Sequence, residues 1–353
     1  MKLTFAIFLA MITCLSSCGK ETPNPVSVSD FERVIQMQPD CVILDIRTPE
    51  EFGEGHIPGA VNINFFDDDF VAQVEKAIPE NNVIALYCKS GNRSAKATKT
   101  LEAKGRKIVE LAGGITAWKE GGLPVTTEGE DIYFTSQGKE IDILPLIHAS
   151  LRIRYDGKEI EIDPVGKMGD RVTDYASFPK ADLILVTHEH YDHLDPEAIR
   201  TLSKPDTIVI ANPNSVKILG YGVEMKNGDK KTIDKDIEIE AVPAYNISPE
   251  RLQFHPKGRD NGYILTLGGM RIYIAGDTEN IPEMKDLGKI DIAFLPCNLP
   301  YTMTPDQFIE AARMINPKVV YPYHYGTTDL SSLTPALAPD GIFVRICPFD
   351  PGK

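Results

Sequence analysis

The sequence predicts an α/β protein of two domains: a parallel-sheet domain over residues 29–127, then two β-sheets packed face to face with helices outside them, an αββα sandwich, over residues 131–353. Three observations carry this reading. Residues 29–127 alternate short apolar runs with helix-compatible stretches, as parallel strands joined by crossover helices do. From residue 141 onward apolar and polar side chains alternate around an Asp-Gly turn, which signals a β-hairpin and the start of a richer β region. The apolar run ending at Val186 leads into a loop that carries His188, His190, Asp192 and His193, four side chains of the kind that bind divalent metals. A length of 353 residues suits two to three domains, and 42% hydrophobic with 25% charged residues is ordinary globular composition.

The amino terminus does not belong to either domain. Met1 to Cys18 holds one Lys, the apolar run Leu3 to Ile12, and then Leu15-Ser16-Ser17-Cys18. The apolar run is too short, and too soon followed by polar residues, to span a bilayer. Leu15 to Cys18 resembles the lipobox of bacterial lipoproteins. That resemblance implies cleavage before Cys18, lipid attachment at Cys18, and an exported protein anchored to the cell envelope, on its periplasmic face or at the cell surface. Residues 19–28 read as a tether. The net charge of −14 argues against a nucleic-acid partner, because phosphate binding relies on clustered Lys and Arg. Of the six cysteines, Cys41, Cys88, Cys297 and Cys347 lie beyond the leader at wide spacings, so no disulfide framework is expected.

In the first domain, Val42 to Ile46 and Val83 to Tyr87 are strands, and Ala95 to Lys104 is a helix. Between the second strand and the helix runs Cys88-Lys89-Ser90-Gly91-Asn92-Arg93-Ser94. A Cys between a strand end and a helix start meets backbone N–H groups and the positive end of the helix dipole, which favours thiolate. Lys89 and Arg93 add positive charge. A buried structural Cys is the bland alternative. The match extends to Asp45-Ile46-Arg47-Thr48-Pro49-Glu50-Glu51-Phe52, Gly55-His56-Ile57-Pro58-Gly59-Ala60 and Leu111-Ala112-Gly113-Gly114-Ile115-Thr116-Ala117-Trp118, so the stretch resembles a rhodanese domain. The resemblance implies that Cys88 is a nucleophile carrying a persulfide from a sulfane-sulfur donor, its anionic sulfur held by the loop N–H groups and Arg93. Asp45, Arg47 and His56 are assigned to packing and turn support.

In the second domain, the hairpin is followed by strands at Thr207 to Ala211, Ile237 to Val242, Tyr263 to Leu267, Arg271 to Ala275, Ile292 to Leu295 and Val319 to Tyr321. Helices fit Pro196 to Leu202 and Pro305 to Ile315. The ligand loop resembles the His-X-His-X-Asp-His motif of the metallo-β-lactamase superfamily, which implies that His188 and His190 bind a first metal and that Asp192 and His193 bind a second. Asp277 and His324 also follow apolar strands, and the family uses these positions for a bridging carboxylate and a last His. His148-Ala149-Ser150, Ile162-Asp163-Pro164 and Phe254-His255-Pro256-Lys257-Gly258 look like the L-ascorbate-6-phosphate lactonase-like branch. His148 and Asp163 are supporting residues or uncertain ligands.

One position departs from the family. After the strand Ile237 to Val242, where a third His for the first metal is usual, stands Asn246, a weak neutral donor. His255, in a loop with Pro and Gly nearby, is expected to complete that site, with Asn246 orienting a water or a neighbouring ligand. The function implied is a two-metal hydrolase acting on a small-molecule ester, lactone or phosphodiester. Zinc is the favoured metal, with manganese or iron as alternatives, and Asp192 assists catalysis. The competing readings are a mononuclear iron site oxidising a persulfide delivered by Cys88, and a non-enzymatic sulfur-sensing or binding module.

Overall fold

The structure is a computed structural model that describes residues 24–38, 40–127, 130–347 and 349. The expected leader, with Cys18, lies outside these residues. Residues 24–28, assigned to the tether from sequence, are instead part of the fold. The Val26 N–H donates to the Glu110 carbonyl at 2.8 Å, and the Ala112 N–H donates to the Val26 carbonyl at 2.9 Å.

The first domain is a four-stranded parallel sheet in the order β2-β1-β3-β4, from β1 (Cys41–Asp45), β2 (Val61–Asn62), β3 (Val83–Tyr87) and β4 (Lys107–Glu110). Five helices attend it: α1 (Val28–Met37), α2 (Pro49–Gly53), α3 (Phe70–Ala77), α4 (Asn92–Glu102) and α5 (Gly114–Glu120). Thr48 starts α2 through a reciprocal capping box with Glu51, behind which Pro49 fixes the first helical φ. The Asp45–Arg47 pair is buried, with Arg47 Nη2 2.6 Å from Asp45 Oδ2 and also donating to the Gly55 carbonyl. That is the supporting role expected of both. His56 stacks on Phe52 at 3.7 Å and its Nδ1 meets the Phe52 carbonyl, so it too serves its turn.

The second domain has two large sheets. The first runs β14-β13-β12-β9-β8-β7-β6-β5 and the second β15-β16-β17-β18-β19-β20-β21. In chain order the strands are β5 (Val125–Thr126), β6 (Asp131–Phe134), β7 (Glu140–Pro145), β8 (Leu151–Tyr155), β9 (Lys158–Ile162), a small hairpin β10 (Lys167–Met168) and β11 (Arg171–Val172), β12 (Leu183–Val186), β13 (Ile208–Ala211), β14 (Val223–Glu224), β15 (Lys230–Asp234), β16 (Ile237–Ala244), β17 (Asp260–Leu267), β18 (Met270–Ile274), β19 (Ile292–Pro296), β20 (Val319–Tyr323) and β21 (Phe343–Val344). Asp156 and Gly157, both at positive φ, make the turn between β8 and β9 that the Asp-Gly pair predicts. Helices α6 (Pro196–Leu202) and α7 (Pro213–Leu219) follow β12 and β13, and α8 (Pro305–Ile315) and α9 (Leu333–Leu337) flank β20 in the chain. Ile153, Leu185, Ile239 and Leu265 meet in the core between the sheets, while Ile184 and Val186 face a separate cluster with Ile199 and Leu202 of α6.

The two domains share more than the chain that joins them. β5, at the end of the first domain, pairs antiparallel with β6 and so extends the second domain's sheet. Phe31 of α1 and Phe343 of β21 each make an edge contact with Trp118 of α5, and one apolar cluster runs through all three. The Val344 N–H donates to Gln36 Oε1 at 3.0 Å.

Candidate functional site

β12 is buried along its whole length between β9 and β13, and the loop at its carboxyl end returns through α6. Asp195 caps that helix, its Oδ1 accepting the Glu197 and Ala198 N–H groups while its Oδ2 accepts that of Gly166. The loop is thereby fixed at both ends. Asp277 arrives just beyond β18, after Gly276 at φ 65, where a Cβ would lie 2.8 Å from the Asn261 carbonyl. His324 arrives from the end of β20 and His148 from just before β8, both at positive φ and joined by a bond from the His324 N–H to the His148 carbonyl. Non-glycine residues at positive φ carry strain that cooperative surroundings must hold, and such strain concentrates at functional sites.

These side chains converge. His188 Nε2 lies 3.1 Å from His190 Nδ1, and His255 joins them in one group of potential donors. His148, Asp192, His193 and His324 form a second group. Asp277 sits between: its Oδ2 is 3.3 Å from both His255 Nε2 and His324 Nε2, and its Oδ1 is 3.3 Å from His193 Nε2. Asp192 Oδ2 is 3.5 Å from His324 Nε2 and 3.1 Å from His148 Nε2.

The donor set fits divalent metal. His193 Nε2, His324 Nε2 and Asp277 Oδ1 are buried without a hydrogen-bond partner, an arrangement that costs roughly 1–3 kcal/mol per group unless something else satisfies it. Bonds of about 2.0–2.2 Å in tetrahedral geometry separate neighbouring donors by roughly 3.3–3.6 Å, close to the spacings found here.

Four of the imidazoles, His188, His193, His255 and His324, have a partner behind them. Thr187 Oγ1 donates to Asp163 at 2.7 Å and so accepts from His188 Nδ1 at 3.0 Å. Asp163 also receives the Thr187 N–H and faces His193 Nδ1 at 2.8 Å. Asp260 faces His255 Nδ1 at 3.0 Å and is itself held by Arg259. Asn298 Nδ2 lies 3.4 Å from His324 Nδ1; turning the amide over would bring its oxygen there to accept the Nδ1–H. Such partners leave the opposite nitrogen free for metal. Asp163 was singled out in the sequence; Thr187, Asp260 and Asn298 were not. A carboxylate five residues after His255 was the one signal that could have found Asp260.

Asn246 is not in either donor group. Its Nδ2 donates to the carbonyls of Tyr301 and Arg251, its backbone N–H donates to the His255 carbonyl, and its Oδ1 is buried without a partner. It thus ties down the loop that presents His255.

Electrostatics follow from the crowding. Burial and the neighbouring His193 depress the His188 pKa and keep it neutral. Burial pushes the Asp277 carboxyl up, but the charges of His324 and His193 outweigh it and hold Asp277 well below the carboxylate range. Burial lowers His324, yet Asp277 and Asp192 raise it to about 9. Without metal, His193 and His324 hold protons that a metal would displace.

In the first domain, Cys88 follows β3, and α4 starts behind Gly91 at φ 99. The Gly91 and Ser94 N–H groups point at Sγ from 3.2 and 3.4 Å. Burial pushes the thiol up, the Ser94 contacts and the N–H groups of Ser90 and Gly91 pull it down, and the balance lies below the ordinary value. Gly114 is obligatory: a Cβ there would meet the Cys88 carbonyl at 2.3 Å. Lys89, Ser90 and Asn92 are exposed on the rim and Ser94 is buried. Cys88 is only 1% exposed. Arg93 makes a bidentate pair with Glu51 at 2.7 and 2.8 Å, and its guanidinium also interacts with the Cys88 sulfur, as expected, so that its charge is shared between the two. All four described cysteines are unpaired.

A sandwich of two sheets with a His/Asp centre at one strand edge, preceded by a small parallel-sheet domain with a cradled Cys, defines the class. Residues 142–324 match the beta-lactamase superfamily domain and residues 28–121 match the rhodanese-like domain. The chain belongs to the beta-lactamase superfamily and carries a rhodanese-like domain ahead of it. A relative from Caldivirga maquilingensis, named UPF0173 metal-dependent hydrolase, is 31% identical over 226 residues, covering 58% of this chain and 93% of the relative. A crystal structure from Parabacteroides distasonis, whose name as a metal-dependent hydrolase is itself provisional, is 56% identical and superposes with a TM-score of 0.60, covering 62% of this chain and 97% of that one. Igni18, a metallo hydrolase from Ignicoccus hospitalis, is 25% identical with a TM-score of 0.51, covering 60% and 96%.

Proposed function

We propose that this chain is an exported, lipid-anchored hydrolase that depends on two divalent ions, zinc being the favoured metal, and that its first domain transfers sulfane sulfur through Cys88. The observation that carries the hydrolase reading is Asp277, whose two oxygens face both donor groups at 3.3 Å. His188, His190 and His255 would hold one ion, Asp192, His193 and His324 the other, and Asp277 would serve both. Bound there, the ions would supply an activated water near neutral pH and polarise the bond under attack. The protein's own part is to fix the donors: Asp163, Thr187, Asp260 and Asn298 orient the rings, and burial of His188, His193 and Asp277 keeps solvent from competing. The names of the relatives support a metal-dependent hydrolase. The motifs around His148, Asp163 and His255 favour the lactonase-like branch and an ester, lactone or phosphodiester substrate.

Metal analysis of protein purified without added metal tests the reading. Near two equivalents of zinc or manganese are expected; one equivalent of iron would favour oxidation of a persulfide instead. The first domain leans on Phe343 and Val344, which pair with Val319 and Val320 at the start of β20, whereas His324 lies beyond its end. At about 3.3 Å per residue the strand separates that contact from His324 by roughly 16 Å. A non-enzymatic role predicts metal without turnover of any ester, lactone or phosphodiester. For the anchor, Cys18→Ala should abolish incorporation of labelled fatty acid; unchanged labelling would remove Cys18 as the lipid site.

A further inference from the structure

The charge around Cys88 is not the charge its loop sequence suggests. Arg93, the arginine of the Cys88 loop, has both terminal nitrogens on Glu51, and the pair is only partly exposed, at 18% and 26% of the two side chains. The pair is braced, because Glu51 also accepts the Thr48 N–H at 3.1 Å. On the other side Ser94 Oγ, 3.5 Å from Sγ, donates to Glu110 Oε1 at 2.8 Å, and Thr98 donates to the second oxygen at 3.1 Å. Cys88 therefore lies between two carboxylates, one reached through Arg93 and the other through Ser94. Arg47 is taken by Asp45, so Lys89 on the exposed rim is the remaining cation of this loop region without an ion pair among the described residues. Beside the Arg93 guanidinium, at 5.6 Å, stands the ring of Phe66, 65% exposed.

A small sulfur-bearing dianion needs free cations to balance its charge, and here both arginines of the region are paired, which leaves the rim lysine Lys89. An organic persulfide needs less, since its reactive end is a single sulfur and its organic body can rest on an aromatic face. We propose that Cys88 takes sulfur from an organic persulfide rather than from thiosulfate, and that Glu51 is the residue that sets this preference. The proposal rests on the sulfurtransferase reading of the first domain. In the step, the Cys88 thiolate attacks the outer sulfur of R–S–SH. The donor S–S bond breaks, its electron pair leaves with R–S⁻, and a new S–S bond forms as Cys88–S–SH. The outer sulfur keeps its proton, and no oxidant or reductant is required.

The test gives the reduced full chain cysteine persulfide or thiosulfate and follows the gain of one sulfur atom at Cys88 by mass spectrometry, with Cys88→Ser as the blank. The persulfide should exceed thiosulfate by about 100-fold in kcat/KM, since like-charge contact penalises the dianion. Glu51→Gln, which keeps an acceptor for Thr48 but frees the Arg93 charge, should raise the thiosulfate value about tenfold and change the persulfide value less than about threefold. Salt gives a second reading on the unaltered protein. Screening should speed thiosulfate if carboxylates repel it and slow thiosulfate if a free cation attracts it. Parity between donors, slowing by salt, or an unchanged thiosulfate rate in a folded Glu51→Gln protein would overturn the proposal. If neither donor adds sulfur to Cys88, the sulfurtransferase reading falls and the proposal with it.

Discussion

Asp277 offers one oxygen to His193 and the other to His255 and His324, so its loss should be felt by both donor groups at once. We expect Asp277→Ala to lower the content of both metals together, and retention of two equivalents would remove its bridging role. The pair His255 and Asn246 separates more sharply. His255→Ala should weaken one site by well over tenfold, as loss of a direct ligand does, whereas Asn246→Ala should keep both ions; metal titration of the two variants decides between them. Protons set a further expectation. The raised pKa of His324 means that, without metal, its ion pairs stabilise the fold fully below the unfolded value of about 6.5 and lose that contribution as pH rises through about 9. Metal affinity should move the opposite way, rising with pH until His324 is deprotonated near 9. Calorimetric melting with and without chelator, over that range, would show whether the two trends diverge. The ligand loop was legible from sequence because four donors fall within six positions. Asn298 was not, since it reaches His324 from a different loop and nothing in its own neighbourhood points there.

Among the elements, the strands that hold the site were the readable ones. β12, β19 and β20 are buried throughout and appear as unbroken apolar runs, while β21, two residues long at a sheet edge, has no pattern to read. Helices starting at a Pro behind a capping residue, α6 and α8, were also legible at both ends. α4 was not: it begins at Asn92, three residues before the expected Ala95, because Gly91 in the left-handed region starts it inside the Cys88 loop. The cap on α6 belongs to this scale. Asp195 serves both the helix and Gly166, so Asp195→Ala should cost about 1–2 kcal/mol of stability in denaturant unfolding, the upper part of the range for caps. The same variant should loosen the ligand loop, and an unaltered metal affinity would show that the loop is held by its own contacts instead.

At the scale of the molecule, the domain order was legible but the joint was not, because β5 pairs with β6 and Trp118 packs between Phe31 and Phe343 through contacts far apart in sequence. Trp118→Ala should therefore cost about 3–5 kcal/mol and lower the melting temperature of both domains, whereas a domain-local effect would lower only one transition. Cys88→Ser should abolish sulfur loading while leaving the metal-dependent hydrolysis intact. That separation follows from β20, which holds the first domain at one end and His324 at the other. A single polypeptide guarantees equal numbers of the two centres in the same place. What the fusion enforces is dosage: any change in expression or turnover alters both domains by the same factor.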